Sequence, residues 1–166
     1  LVKDRLALES MRTVDTILFD KTGTLTKGEP IVTGVEVVEN HDEAEVLALA
    51  ASAERDSEHP LAKAIVLIAH SRNLAIKTAS DFRSAPAVGV TATVDGKQVR
   101  VGGPQMLSEI GGKELAVTSI WKEEGAIVLH VAIDGKVVSA LRLACGPNAS
   151  LGHGMLHLAL APTAVF

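Results

Sequence analysis

The run Asp20-Lys21-Thr22-Gly23-Thr24-Leu25-Thr26 contains the residue types needed to handle a phosphate group. Residues 14–19 are mostly apolar and predict a buried strand that delivers Asp20 to its end. A carboxylate placed there can attack phosphorus, while the amides of the glycine turn face phosphate oxygens and Mg²⁺ neutralises negative charge. The structural alternative is an Asx turn that only ends the strand, as in most Asp-x-x-Gly sequences.

The elements that follow this segment predict an α+β fold. A first helix is expected at 42–55, with acids in its first turn, and a second from His59-Pro60 to about Arg72, the two forming a helical hairpin. Asp95-Gly96 and Asp134-Gly135 are typical of β-hairpins, which indicates an antiparallel sheet covered by helices. Strands are predicted at 31–38, 82–83, 89–94, 98–101, 126–133 and 136–143, and further helical pattern at 103–110 and 113–124.

Composition excludes several kinds of partner. The 166 residues carry a formal charge of −4, so no basic excess is available for nucleic acid. No apolar stretch approaches the roughly 18 residues that cross a bilayer. The single cysteine, Cys145, excludes an internal disulfide and suggests a reducing compartment. Aromatic residues make up 2% of the chain, so a base-binding pocket must use something other than stacked rings.

The run DKTGTLT at 20–26 resembles the phosphorylation signature of P-type ATPases, in which ATP phosphorylates the aspartate. The resemblance implies a haloacid-dehalogenase-like core around Asp20, with Lys21 and Thr22 beside the phosphate. It also implies Mg²⁺ held by the Asp20 carboxylate and the backbone carbonyl of Thr22. Small-molecule phosphatases of that superfamily usually carry a second Asp where this chain has Thr22, so the phosphoenzyme is expected to persist.

A second motif, Ser57-Glu58-His59-Pro60-Leu61, resembles the SEHPL motif of heavy-metal-transporting P-type ATPases, whose histidine belongs to the nucleotide-binding domain. Glu54, five residues before the histidine, also fits the family pattern. The Glu54 carboxylate can accept from the exocyclic amine of adenine, and the His59 imidazole can orient the nucleotide. The structural alternative makes His59 a helix-start residue and Glu54 a solvated charge at a helix end.

Two glycines resemble the family's nucleotide loops less closely. Gly89 matches the second glycine of a Gly-x-Gly loop, but Ala87 replaces the first, and Gly102 fits a Val-Gly-Asn sequence in which Gly103 replaces the Asn. Both departures suggest adjusted or reduced ATP affinity rather than a different ligand. Gly89 and Gly102 are equally consistent with a bulge and a turn that bind nothing.

The resemblance divides the chain into three parts. Residues 1–30 are expected to be the end of a membrane-exit helix and the first strand of the phosphorylation domain, that is, a partial haloacid-dehalogenase-like α/β segment. Residues 31–143 are expected to be the nucleotide-binding domain. Residues 144–166 contain no charged residue, depart from the family, and are interpreted as a tail produced by a frameshift or a cloning scar.

The predicted function is that of a cytosolic ATP-binding fragment of a heavy-metal pump. The expected ligands are ATP and Mg²⁺, and the expected partners are the parent's phosphorylation, actuator and membrane domains, on the cytoplasmic side of the cell membrane. The fragment itself is expected to be soluble and to bind ATP without transporting metal. Copper is the expected cargo, with zinc, cadmium, cobalt and lead left open. The alternatives are a phosphatase that uses Asp20 and a non-catalytic interaction module.

Overall fold

The computed structural model describes residues 26–147, with side chains from 29 to 145, and residues 29–146 form one compact unit. The described residues contain six strands and four helices, which confirms the α+β prediction. In chain order they are β1 (Thr26–Val37), α1 (Glu43–Glu54), α2 (Pro60–Ser71), β2 (Ser80–Ala85), β3 (Gly89–Val94), β4 (Lys97–Gly102), α3 (Pro104–Ile110), α4 (Val117–Glu123), β5 (Ile127–Ile133) and β6 (Lys136–Pro147).

The strands form one antiparallel sheet in the order β1-β6-β5-β4-β3-β2. Both predicted hairpins are present, because Val94 pairs with Lys97 and Ile133 pairs with Lys136. Asp95 and Gly96 in the first turn have φ values of 50° and 77°. Two consecutive positive φ values define the type I′ turn that suits twisted antiparallel strands, and the Asp-Gly sequence adopts it at low cost.

Helix α1 begins where its sequence predicts. The Asp42 side chain caps it by accepting a hydrogen bond from the Glu45 amide at 2.9 Å. Almost all of its last two turns are buried, and small alanines let the helix approach both the sheet and α2 closely. Helix α1 contacts α2, β3 and β4. The result is a helical layer on one face of the sheet.

The hydrophobic core is split by the sheet. The larger cluster lies between the sheet and the α1–α2 hairpin, where β3 contributes Ala92 and Val94. The smaller cluster lies on the opposite face, where Met106 and Leu107 of α3 pack against Ala132 of β5. Alternate residues of one strand therefore face different helices, as the period of two requires. No helix in the described part of the chain is both long and apolar enough to cross a bilayer.

Several boundaries differ from the sequence prediction. Strand β1 begins at Thr26 instead of residue 31, and β2 spans Ser80–Ala85 instead of 82–83. The helix predicted at 113–124 begins only at Val117, because Gly111 ends α3 with φ 63° and residues 112–116 connect the two helices. Strand β6 continues to Pro147 instead of ending at residue 143. The change of composition at Ala144 therefore does not coincide with the end of the strand.

Candidate functional site

The connection between α1 and α2 carries the two side chains that the sequence selected. Glu54 is the last residue of α1, yet it is 5% exposed, and its Oε2 atom has no hydrogen-bond partner among the described residues. Burial raises the pKa of Glu54 to about 7, and the nearby Ser57 side chain opposes the rise. A buried acceptor without a donor costs free energy, so this carboxylate is suited to receive one.

His59 caps α2 and is exposed. Its Nδ1 accepts a hydrogen bond from the Leu61 amide at 3.2 Å, and Pro60 occupies the first helical position. Because Nδ1 is an acceptor, the neutral ring carries its proton on Nε2, which makes Nε2–H an available donor. His59 therefore has the helix-start role that the sequence offered as an alternative. Capping the helix fixes the orientation of the ring and does not exclude a ligand.

Gly89 and Gly102 lie directly opposite each other in the β3–β4 hairpin. A Cβ atom at Gly89 would lie 2.1 Å from the Val101 carbonyl oxygen, and one at Gly102 would lie 2.0 Å from that of Val88. Gly89 also has φ +126°, which side-chain-bearing residues rarely adopt. Strand packing alone therefore requires both glycines, of which Gly102 is buried and Gly89 half-buried.

The two positions that depart from the family pattern have different geometry. Ala87 has φ 64°, a left-handed conformation that costs a residue with a Cβ about 1 kcal/mol. Gly103 is the N-cap of α3, has extended backbone, and makes no capping hydrogen bond through a side chain. A Cβ at Gly103 would meet nothing within 4 Å. The fold thus strains Ala87 and leaves room for a side chain at 103.

An ion pair places the beginning of α1 at the β3–β4 turn. Lys97 Nζ is 2.9 Å from Glu45 Oε1. Helix α1 contacts both strands of the hairpin. Ser52, near the end of the helix, lines a cavity together with Asp95 and Lys97 of the turn.

A surface cavity lies beside α2. It has a volume of about 240 Å³ and lies along the outer face of α2. Its lining includes Ser57, Glu58 and Lys63 but none of Glu54, His59 or the two glycines. This cavity is therefore not the site that the sequence indicates.

Asp20, Lys21 and Thr22 lie outside the residues that the structure describes, and with them the predicted magnesium site. Within residues 26–147, no group of three or more His, Cys, Asp or Glu side chains is arranged to hold a metal ion.

Sequence reasoning missed two residues. His130 is fully buried on β5 opposite Gly102, and neither ring nitrogen has a partner among the described residues. Desolvation lowers its pKa, which keeps it neutral. The sequence contained a signal for His130, because it is the single polar residue in an inward-facing row of β5. Ser57 was quoted only as part of a motif, although it lies between Glu54 and His59 and contacts both.

A family model described as haloacid dehalogenase-like hydrolase matches residues 14–145. Among curated relatives, a copper-exporting P-type ATPase of Legionella pneumophila is 40% identical over 144 residues, covering 85% of this chain and 19% of its own. Copper-exporting P-type ATPase B of Archaeoglobus fulgidus is 38% identical over 144 residues, covering 87% and 21%. The silver-exporting P-type ATPase of Salmonella typhimurium is 34% identical over 146 residues, covering 86% and 18%. This chain thus spans about a fifth of the curated relatives it matches.

Solved structures give the same family. The N-domain of HMA6, a copper-transporting P-type ATPase, is 31% identical with a TM-score of 0.56, and 70% of this chain covers 99% of it. A zinc-transporting PIB-type ATPase is 31% identical with a TM-score of 0.73, covering 84% of this chain and 23% of its own. The chain therefore belongs to the haloacid dehalogenase-like hydrolases and, within them, to the PIB-type P-type ATPases, whose nucleotide-binding domain it contains.

Proposed function

We propose that this chain binds ATP through the corner formed by Glu54, His59 and the Gly89–Gly102 pair, as the nucleotide-binding part of a heavy-metal pump. The observation that carries the proposal is the buried Glu54 Oε2, an acceptor without a donor among the described residues. The exocyclic amine of adenine supplies a donor of the required kind. This corner needs no aromatic stacking, which suits the composition.

The exposed edge of His59 supports the proposal independently. Its Nε2–H points away from the capping bond and is free to donate to the nucleotide, while the ring provides a flat surface for contact. The half-buried Gly89 is where the ligand would approach the main chain of this hairpin. These three contributions bind and orient the nucleotide, and none of them requires a metal ion.

In the whole pump we propose that Asp20 attacks the γ-phosphorus of ATP, forming an aspartyl phosphate and releasing ADP. Lys21 and Thr22 would lie beside the transferred group, and Asp20 with the Thr22 carbonyl would hold Mg²⁺, which neutralises charge there. Thr22 cannot act as a general acid or base as well as a carboxylate, which favours a lasting phosphoenzyme over phosphatase turnover. All three residues precede the described part of the chain. The support for these roles therefore comes from the sequence.

ATP hydrolysis would drive heavy-metal export together with the membrane, actuator and phosphorylation domains of the pump. The nucleotide-binding part would lie on the cytoplasmic side of the membrane. We propose copper as the first cargo to test, since relatives 36–40% identical are named for copper. Relatives and neighbours named for silver and zinc make those metals the next candidates.

Calorimetric titration of the 166-residue chain with ATP tests the binding proposal. We expect saturable binding that weakens about tenfold or more in Glu54→Gln and in His59→Gln, because the first loses the charged acceptor for the amine of the base and the second loses the imidazole ring that orients the nucleotide. Glu58→Gln is the matched control, since Glu58 is exposed and pairs only with Lys63 among the residues that the structure describes. Equal affinities in all four proteins, or no binding by the native chain, would overturn the proposal.

The same titration, together with an assay of phosphate release from a simple phosphate ester, separates the alternatives. A phosphatase would release phosphate from the ester without needing Glu54 or His59. If the chain is an interaction module that does not use ATP, the titration detects no nucleotide binding. The strained Ala87 and the missing side chain at Gly103 would then contribute to that result.

A further inference from the structure

His130 is a fully buried imidazole on the face of the sheet that α3 and α4 cover. Its direct neighbours in the sheet are Gly102 of β4 and Ala140 of β6, and neither has a polar side chain. Neither ring nitrogen has a hydrogen-bond partner among the described residues. Burying a charge without a partner costs far more than burying a neutral polar group. The closed fold therefore accepts the neutral ring and disfavours the imidazolium.

Two arginines share this face of the sheet with His130. Arg100 of β4 lies opposite Ala132 of β5. Arg142 of β6 lies opposite Val128 of β5. Both arginines are therefore diagonal neighbours of His130, roughly 7–8 Å away. Because like charges repel, these two permanent cations add to the cost of protonating the ring.

The carboxylates at the ends of α3 and α4 are already engaged by these arginines. Glu109 Oε2 lies 3.9 Å from Arg100 Nη1, and Glu124 Oε2 lies 2.7 Å from Arg142 Nη2. Neither carboxylate is therefore free to accept a bond from a protonated His130.

The connection between α3 and α4 offers no free carboxylate either. Glu114 accepts from the Lys122 ammonium with one oxygen and from the Thr118 hydroxyl, at 3.4 Å, with the other. The other charged residues of this connection and of α4 are Lys113 and Glu123, and both are exposed. In the described part of the chain, the layer that covers His130 thus holds no uncommitted buried counter-charge.

Helix α4 is held to the sheet by few buried contacts. Among its seven residues only Thr118 is buried, and no side chain caps its first turn. Ile120 of the same helix is 57% exposed. Helix α3, in contrast, is anchored by Met106 and Leu107 in the smaller core cluster. Few buried contacts mean a low free energy of local opening, so α4 is expected to separate before the strands do.

We propose that His130 is an acid-operated switch, in which protonation of the buried ring by solvent releases α4 from the sheet and admits water to the imidazolium. The switch is independent of nucleotide and goes beyond the proposed function. Desolvation lowers the pKa of His130 in the closed fold, with Glu114 and Lys122 acting in opposite directions. In the open form the ring is solvated and titrates near the ordinary value of about 6.5. Opening therefore becomes more favourable below about pH 6.5, by up to about tenfold per pH unit.

Amide hydrogen exchange of the 166-residue chain, followed by NMR between about pH 5 and pH 7, tests the switch. The native chain is compared with His130→Leu and His130→Gln, neither of which has a titrating group at this position. Taking the ratio of protection factors at each pH cancels the pH dependence of intrinsic exchange. The informative amides are those of Glu124 and Ala126, which donate to carbonyls of α4. From pH 7 to pH 5 their protection in the native chain is expected to fall about threefold to thirtyfold relative to either variant.

Release of α4 without global unfolding has a second requirement. At pH 5 the amides of α4 must be less protected than those of α1, which lies on the other face of the sheet. Equal protection in the two helices would show that only global unfolding exposes His130, and it would overturn the proposal. A ratio of native to variant protection that is constant with pH would also overturn it, because the ring would then only fill space.

A charge variant tests why the closed fold disfavours the proton. Lys122→Met removes a cation and frees a Glu114 oxygen to pair with the imidazolium. The acid-dependent loss of protection in α4 is therefore expected to shrink about threefold or more. Lys113→Met is the matched control, since Lys113 is exposed on the same connection, and it should respond as the native chain does. An unchanged acid response in Lys122→Met would contradict the charge balance on which the switch depends and would overturn the proposal.

Discussion

Gly89 faces Gly102 across the β3–β4 hairpin, and at neither position is there space for a Cβ atom. Each missing side chain would overlap a carbonyl oxygen, that of Val101 for Gly89 and that of Val88 for Gly102. The two glycines are therefore a packing requirement of the hairpin.

Replacing either glycine by alanine is expected to destabilise the fold. Gly102→Ala should cost about 2 kcal/mol through overpacking, and Gly89→Ala about 3 kcal/mol because its positive φ adds strain. Gly103→Ala is the control, since its Cβ meets nothing within 4 Å and its φ is −85°. Urea denaturation measures the three values, and a Gly103→Ala cost equal to the other two would contradict the packing account.

Ala87→Gly is expected to stabilise the protein by up to about 0.5 kcal/mol. The substitution removes the strain of a Cβ at φ 64°, and the greater freedom of glycine in the unfolded chain offsets part of the gain. Ala75→Gly provides a comparison, because Ala75 is exposed and outside the positive-φ residues, so only the entropic loss remains. Thermal melts that place both variants below the native chain would refute the strain at 87.

Stability is expected to fall as pH rises through neutrality because of Glu54. Its pKa is about 7 in the folded chain and near 4.5 when unfolded, so its contribution is complete below pH 4.5 and is lost as pH passes 7. The loss is up to about 3 kcal/mol. His130, with a lowered pKa, acts in the opposite direction below neutrality, so the informative quantity is the difference between the native chain and Glu54→Gln. That difference should grow from about pH 5 to about pH 8, and a flat difference would show that Glu54 is solvated.

His130→Leu is expected to raise the free energy of unfolding by about 1 kcal/mol at neutral pH and by more at about pH 5. The native ring is fully buried with neither nitrogen partnered in the described part of the molecule, so an apolar side chain of similar size avoids its desolvation cost. Denaturant unfolding at both pH values provides the test. A loss of stability on substitution would mean that the ring makes a polar interaction that this fold requires.

Local signals in the sequence account for most of the fold. The Asp-Gly pairs at 95 and 134 formed the predicted turns because glycine and aspartate tolerate positive φ, and Asp42 and Pro60 mark the observed starts of α1 and α2. The start of α4 was placed too early, because the pattern at 113–116 resembles a helix although Gly111 and Gly112 interrupt it.

The site was harder to predict because its chemistry depends on burial. A glutamate at the end of a helix is usually solvated, and only the packing of α1 against the sheet reveals that Glu54 is not. The position of Ser57 between Glu54 and His59 depends on the path of the turn, and the position of His130 opposite Gly102 depends on strand register, which a single sequence does not specify.

The most direct test of the central claim is an amide NMR titration of the 166-residue chain with ATP. The account predicts that the largest shift changes fall on Glu54, Ser57, His59, Gly89 and Gly102, with little change at the Asp95-Gly96 turn at the other end of the hairpin. Shift changes concentrated along the outer face of α2, or none at saturating ATP, would contradict the claim that adenine binds at the Glu54 and His59 corner.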